Sequence, residues 1–265
     1  MDFNSKVILG QTGLLVGRLG ISSSYGAHAE AFEEAFERGC NYFTWGTFLK
    51  GPSPEMKTAI RNIVHKGQRD KLVLALYAYT HSRFLNDMLL LKRLKQLGVD
   101  HADILILGFY SFRPVRHIIE GALRLKEKGI IRHIGLSGHN RKLFPELIKD
   151  GKIDVFHVRY NAVNRGAETE VFPFLDKNKG HGIVSFTATK WGQLLDQKKM
   201  PLGVMAPSAV DCYRFVLSNP AVDICMMGAR NTEMMRENLA TLDLGPMNDE
   251  KLSEMRKIGD ILKKA

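Results

Sequence analysis

The sequence predicts an α/β fold: a closed (β/α)8 TIM barrel preceded by a β-hairpin. Three observations predict it. Eight short apolar runs of strand length alternate with helical patterns, which argues for a parallel sheet. Glycines stand where helical patterns stop, at Gly39, Gly98 and Gly129. Eight such units fit into about 240 of the 265 residues, which favours closure over an open, doubly wound sheet.

The unit is plainest over residues 124–141. A helix of interleaved charged and apolar positions stops at Gly129, and a short apolar strand over 134–136 follows. That strand ends in the polar turn Ser137-Gly138-His139-Asn140. In such sheets chemistry sits just beyond the carboxyl ends of the strands.

In chain order, 7–10 and 14–16 flank Gln11-Thr12-Gly13 as a hairpin. Strands are expected at 19–22, 41–45, 72–77, 102–107, 134–136, 154–158, 182–186 and 222–226. Helices are expected at 29–38, 52–66, from the N-cap Ser82 to Leu97, from Pro114 onward, and at 168–178, 209–217, 232–241 and 248–264. Residues 197–207 form the loosest stretch. No linker or low-complexity segment interrupts the series, so a single barrel domain over 1–265 is expected.

No run of about 18 uninterrupted apolar residues is present, so no membrane span is expected. The opening residues lack a signal-peptide core. Cys40, Cys212 and Cys225 are scattered, which fits a reduced, cytoplasmic chain without a disulfide framework or metal cluster. Cys40 and Cys225 lie in apolar runs and are expected to pack as small hydrophobes. The net charge of +10 is spread over many helices, for example Lys92, Arg93, Lys95, Lys126 and Lys128, and reads as solvated helix faces. No basic–aromatic motif points to nucleic acid. A small-molecule ligand is the expected partner.

The chain resembles the aldo-keto reductase family from end to end. The residues 9–13 resemble its opening hairpin, 93–103 its third-helix-to-fourth-strand signature, and 124–140 the next such signature. Tyr160-Asn161, Gly228-Ala229-Arg230-Asn231 and Glu237-Asn238 resemble its cofactor end. The resemblance implies an NADP(H)-dependent oxidoreductase with an Asp, Tyr, Lys and His tetrad, in which the Tyr protonates a carbonyl oxygen. Carried over position by position, those slots hold Thr44, Leu49, Tyr77 and Gly108. Neither Leu49 nor Gly108 has a side-chain proton to transfer, and the neighbouring Phe48 does not replace one.

The resemblance keeps more of the cofactor side. Ser137, with Asn140 close by, and His157 in a Gln slot are expected to hold the nicotinamide amide; Phe186 is expected to stack on its ring. Thr187 and Thr189 are placed for a pyrophosphate, Arg230 for adenosine-phosphate contacts, and Glu237 and Asn238 for adenine. Met234 stands where many members have an Arg. Tyr25, His28, Trp45, Tyr79, Tyr110, His139, Arg159 and Lys190 come from separate strand exits and are expected to converge at the barrel mouth. There Tyr77 would serve as a relocated acid, tuned by Lys190 or His139.

Three functional classes follow. One is a divergent NADP(H)-binding oxidoreductase with a non-standard active site. The second is a non-catalytic nucleotide- or phospholigand-binding barrel, a sensor or partner subunit. The third recruits His139, Arg159 and Lys190 to bind an anionic substrate. Fold alone does not choose among them.

Overall fold

The computed structural model describes residues 2–23, 26–46, 52–175 and 180–264. Two short strands, β1 (Val7–Ile8) and β2 (Leu15–Val16), pair antiparallel as the expected hairpin. Eight parallel strands then close into a barrel: β3 (Leu19–Ser22), β4 (Tyr42–Trp45), β5 (Val73–Ala78), β6 (Ala102–Leu107), β7 (Ile131–Gly138), β8 (Val155–Arg159), β9 (Gly182–Phe186) and β10 (Ile224–Met227). Each strand pairs with the next in sequence, and β10 returns to β3. Around them lie α1 (Ala29–Glu37), α2 (Pro54–His65), α3 (Arg83–Leu97), α4 (Arg116–Glu127), α5 (Phe144–Asp150), α6 (Ala167–Glu170), α7 (Ala209–Leu217), α8 (Thr232–Leu239) and α9 (Asp249–Lys264).

Strands in this position are buried on both faces, which is why they read as unbroken apolar runs. Every residue of β6 is buried. One set of side chains, including Phe43, Leu74, Leu105 and Phe156, packs outward beneath the helices. The other set, including Tyr42, Val73, Ala75, Ile104, Val155, Val184, Ile224 and Met226, fills the lumen. Leu9 and Val16 of the hairpin join this inner set and plug its lower end. Gly10 lets the hairpin approach: a Cβ there would stand 2.3 Å from the Gly182 backbone nitrogen. Gly20 makes room for the large Tyr42, since a Cβ on it would lie 2.6 Å from Met226 Sδ and 3.2 Å from Tyr42 Cδ1.

The lower rim carries a repeated polar device on every second strand. At the start of β4, β6, β8 and β10, the side chains of Asn41, Asp103, Asp154 and Asp223 accept the backbone N–H of Gly17, Leu74, Ile134 and Ile183, at 2.8–2.9 Å. These bonds give a side-chain acceptor to backbone donors in the lower half of the barrel. Arg69 and Arg132 complete the shell around Asp103, at 2.9 and 3.2 Å.

Two elements depart from expectation. Of the helix expected over 168–178, the described part is the single turn α6 followed by a 3-10 turn, Phe172–Phe174, and 176–178 lie outside the described residues. Pro173 cannot donate to an α-helical bond and pushes Val171–Phe172 out of the helical register. The strand expected over 134–136 is the eight-residue β7, because Ile131 pairs with Ala102 directly after the glycine stop. The three cysteines are free and buried, as expected of small hydrophobes, and burial pushes the Cys40 thiol up to about 12. Among the described residues no His/Cys/Asp/Glu group has the makings of a metal site, and no helix is long and apolar enough to cross a membrane.

Candidate active site

Tyr77 is the penultimate residue of β5 and turns inward near the mouth, half-buried. Its hydroxyl lies 3.3 Å from Nδ1 of His157, a fully buried lumen residue of β8. On the other side of that ring, Tyr42 Oη lies 2.8 Å from Nε2. Burial drives the His157 pKa down to about 3, so the ring stays neutral. Burial raises both phenols: Tyr42 well above its usual value, and Tyr77 too, with Tyr79 nearby adding to the effect.

An arc of aromatic rings runs from Tyr77 around the mouth. Tyr77 and Tyr79 stack at 5.1 Å between centroids, their planes 5° apart. Tyr79 meets Phe109 edge-on at 6.2 Å, Phe109 meets His139 at 6.5 Å, and His139 meets Phe186 at 5.5 Å. Such edge-to-face contacts match the charge distribution of the rings. Gly108 lies beneath the first pair, because any side chain there would enter the Tyr79 ring. Thr44 is buried, and its hydroxyl is spent on the Ile21 carbonyl at 3.2 Å. Leu49, Phe48 and Tyr25 lie outside the described residues.

The expected tuning of Tyr77 by Lys190 or His139 is not what the structure builds. The Lys190 ammonium donates to the Leu262 carbonyl at 3.0 Å, near the C-terminal end of α9, where a cation meets the negative end of the helix dipole. His139 packs between Phe109 and Phe186, and burial and then the Arg159 charge lower its pKa. Among the described residues the partner of the Tyr77 hydroxyl is His157.

The residues expected at the cofactor end divide into two groups. Ser137 on β7 is half-buried, and its hydroxyl has no hydrogen-bond partner among the described residues. Arg159, expected at the mouth for an anionic substrate, pairs in register with Phe186 and has a buried Nε that is likewise unpartnered among them. Ser137 is the penultimate residue of β7, and Arg159 and Phe186 end the adjacent strands β8 and β9. Arg230 is exposed in the turn into α8, and Glu237 is exposed in the last turn of that helix. The other side chains are engaged in holding loops. Asn140 donates to Ser111 O at 2.8 Å, and Asn238 to Gly228 O at 3.3 Å. Thr187 bonds its own strand's Phe186 O at 2.7 Å, and Thr189 Oγ1 accepts from Gly192 N at 3.2 Å. His157, in register with Ser137, has its two ring nitrogens engaged by Tyr42 and Tyr77.

The loop after β9 is strained. Thr187, Lys190 and Trp191 have φ of 60°, 49° and 58°, a conformation that a β-branched threonine rarely adopts. Buried Asn161 holds it by donating Nδ2 to Thr187 O at 2.8 Å, while its Oδ1 accepts from Val163 and Asn164.

Of the other residues expected at the mouth, Trp45 and Tyr110 are buried against the helices instead. Trp45 donates to Ser53 O at 2.8 Å, and Tyr110 stacks on His81 at 5.1 Å. His28 is exposed near Glu55. Sequence reasoning missed Tyr42 and Arg93. Tyr42 alternates with Thr44 along β4, so the two-residue period puts both in the lumen. Arg93, read as a solvated helix charge, is half-buried: it donates to the Tyr77 carbonyl and packs against Gly46. It sits three residues after buried Leu90, a spacing that places it beside the inward face of α3.

Comparison with known proteins agrees with this architecture. The aldo/keto reductase family model matches residues 16–211. An NADH-specific methylglyoxal reductase of Escherichia coli K12 is 22% identical over 207 residues, covering 64% of this chain and 63% of its own length. The chain thus spans less than two thirds of that relative. An aldo-keto reductase from Bacillus halodurans superposes in its holo form with a TM-score of 0.80 at 21% identity, covering 96% of each chain. Its apo form gives 0.78 at 21% identity, covering 96% of this chain and 95% of that one. A parallel barrel plugged by a hairpin, its mouth built from strand ends, and a family model spanning most of the sequence lead to one conclusion: the chain belongs to the aldo/keto reductase family.

Proposed function

We propose that this chain binds NADP(H) at the barrel mouth and acts as an oxidoreductase on a small carbonyl compound, with Tyr77 as the proton donor. The observation that carries the reading is the Tyr77 hydroxyl, bonded to a neutral buried imidazole at the same end of the barrel as Ser137, Arg159 and Phe186. Ser137 Oγ and Arg159 Nε, both without partners among the described residues, fit a nicotinamide amide or a neighbouring phosphate, and the Phe186 ring fits a stacked face. When bound, the reduced nicotinamide supplies a hydride to the carbonyl carbon. Tyr77 holds the carbonyl oxygen and gives it a proton. Its raised pKa keeps the phenol protonated at neutral pH, and makes it a slow acid. Arg230 and Glu237 would serve the adenosine end, with Asn238 fixing the turn that carries Arg230.

A second reading, a nucleotide- or phospholigand-binding barrel without turnover, is supported by the same phenol. Burial raises it, and among the described residues no cationic side chain bonds its oxygen. One experiment separates the two. NADPH and NADH are titrated by fluorescence, and aldehydes and ketones are then added, including methylglyoxal, the compound in the name of the Escherichia coli relative. Binding with turnover supports the first reading, and binding without turnover the second. Absence of binding by either nucleotide overturns the proposed cofactor.

A further inference from the structure

The lumen holds a polar chain of which the proposed function uses only the outer end. Tyr42 is fully buried among Val73, Ala75, Ile104, Val155, Ile224 and Met226. Among the described residues its hydroxyl has one hydrogen-bond partner, His157 Nε2, at 2.8 Å. A buried phenol has one proton to donate, and Nε2 is the acceptor within reach. Were Nε2 itself protonated, its N–H would take the Tyr42 oxygen and leave the Tyr42 proton aimed at hydrocarbon. The neutral ring carries a single N–H, which therefore belongs on Nδ1. Nδ1–H then donates to the Tyr77 oxygen at 3.3 Å. With that oxygen engaged as an acceptor, the Tyr77 O–H is free to turn toward the mouth.

We propose that Tyr42 is a positioning residue: by donating to His157 Nε2 it locks the Nδ1–H tautomer, and so presents the Tyr77 O–H to a ligand oxygen. The use of this arrangement rests on the reading of Tyr77 as the donor; the locking itself needs no ligand. It orients the phenol by hydrogen bonds, and among the described residues no cationic side chain bonds the phenol oxygen.

The test is the tautomer of His157, read by NMR in protein labelled with 15N-histidine and assigned through His157→Gln. The wild-type ring is expected to show a protonated Nδ1 and a bare Nε2. Tyr77→Phe keeps that pattern, because Tyr42 still donates. Tyr42→Phe releases the ring to a mixture of Nδ1–H and Nε2–H, because no proton is then offered to Nε2 and the Tyr77 hydroxyl can either accept from Nδ1 or donate to it. It also lowers kcat about tenfold or more with nucleotide affinity unchanged. A protonated Nε2 in the wild type overturns the proposal, as does a Tyr42→Phe ring as purely Nδ1–H as the wild type. Should Tyr42→Phe fail to fold, a switch to Nε2–H in Tyr77→Phe would overturn it equally, by making Tyr77 the residue that sets the tautomer. The expected tautomer without nucleotide binding or turnover sinks the functional reading and leaves the lock standing. Turnover with the opposite tautomer does the reverse.

Discussion

Gly108 and Tyr79 occupy one space: a Cβ on Gly108 would lie 2.5 Å from Tyr79 Cε1. The slot that the family resemblance reserves for a histidine is filled, from β5's side, by a ring stacked on Tyr77. Tyr77, Tyr79 and Gly108 thus form one packing unit. Gly108→Ala is expected to destabilise by about 1–3 kcal/mol through overpacking, and to cost little in a Tyr79→Ala background. Thermal unfolding of the single and double variants measures the coupling.

Tyr77→Phe removes one oxygen from the half-buried ring and leaves the stack on Tyr79 in place. If Tyr77 is the donor, kcat for carbonyl reduction falls about 10²–10⁴-fold while NADPH affinity holds. Steady-state kinetics beside a fluorescence titration decide this. Unchanged turnover removes Tyr77 from the chemistry.

Stability should fall on acidification because of His157. Burial lowers its folded-state pKa from 6.5 to about 3, so between those values the unfolded chain binds a proton that the folded one excludes. Its contribution is complete above pH 6.5 and is lost as pH falls toward 3, with a limiting slope of about 1.4 kcal/mol per pH unit. Denaturant unfolding from pH 7 to 4 should show this slope, and His157→Gln should flatten it. Asp154 adds a second acid-sensitive component at lower pH. Burial would raise its pKa, but the adjacent His133, the Ile134 N–H and Lys126 outweigh that and bring it to about 2. Its contribution is present above pH 3.8 and lost toward 2.

Asp103 tests the lower rim. It is 1% exposed and accepts from Leu74 N, Arg69 and Arg132. Asp103→Ala leaves the Leu74 N–H unpaired and the half-buried Arg69 guanidinium without its carboxylate, and is expected to cost about 3 kcal/mol. Asp103→Asn keeps the bond to Leu74 N and should cost less. Chemical denaturation of both variants checks the order.

The expected strands over 19–22, 102–107 and 182–186 and the helix over 209–217 match the structure residue for residue, because apolar runs, caps and glycine stops are local signals. The helix over 168–178 failed because Pro173 outweighs the pattern around it. At the mouth, Ser137, Phe186 and Arg159 fall where strand ends must converge, and that much was legible. Lys190 was misread because its rim position says nothing of the α9 carbonyl that takes its ammonium.

By itself the sequence determined the barrel, the hairpin before it and the loops in which a site has to lie, since a two- or four-residue period is written along the chain. Only the tertiary structure decided that Tyr42, His157 and Tyr77 form one hydrogen-bonded line, and that Tyr79 stands over Gly108. Those relations join residues 29 to 115 positions apart, and a contact across a closed lumen depends on how eight strands pack, which no local pattern encodes.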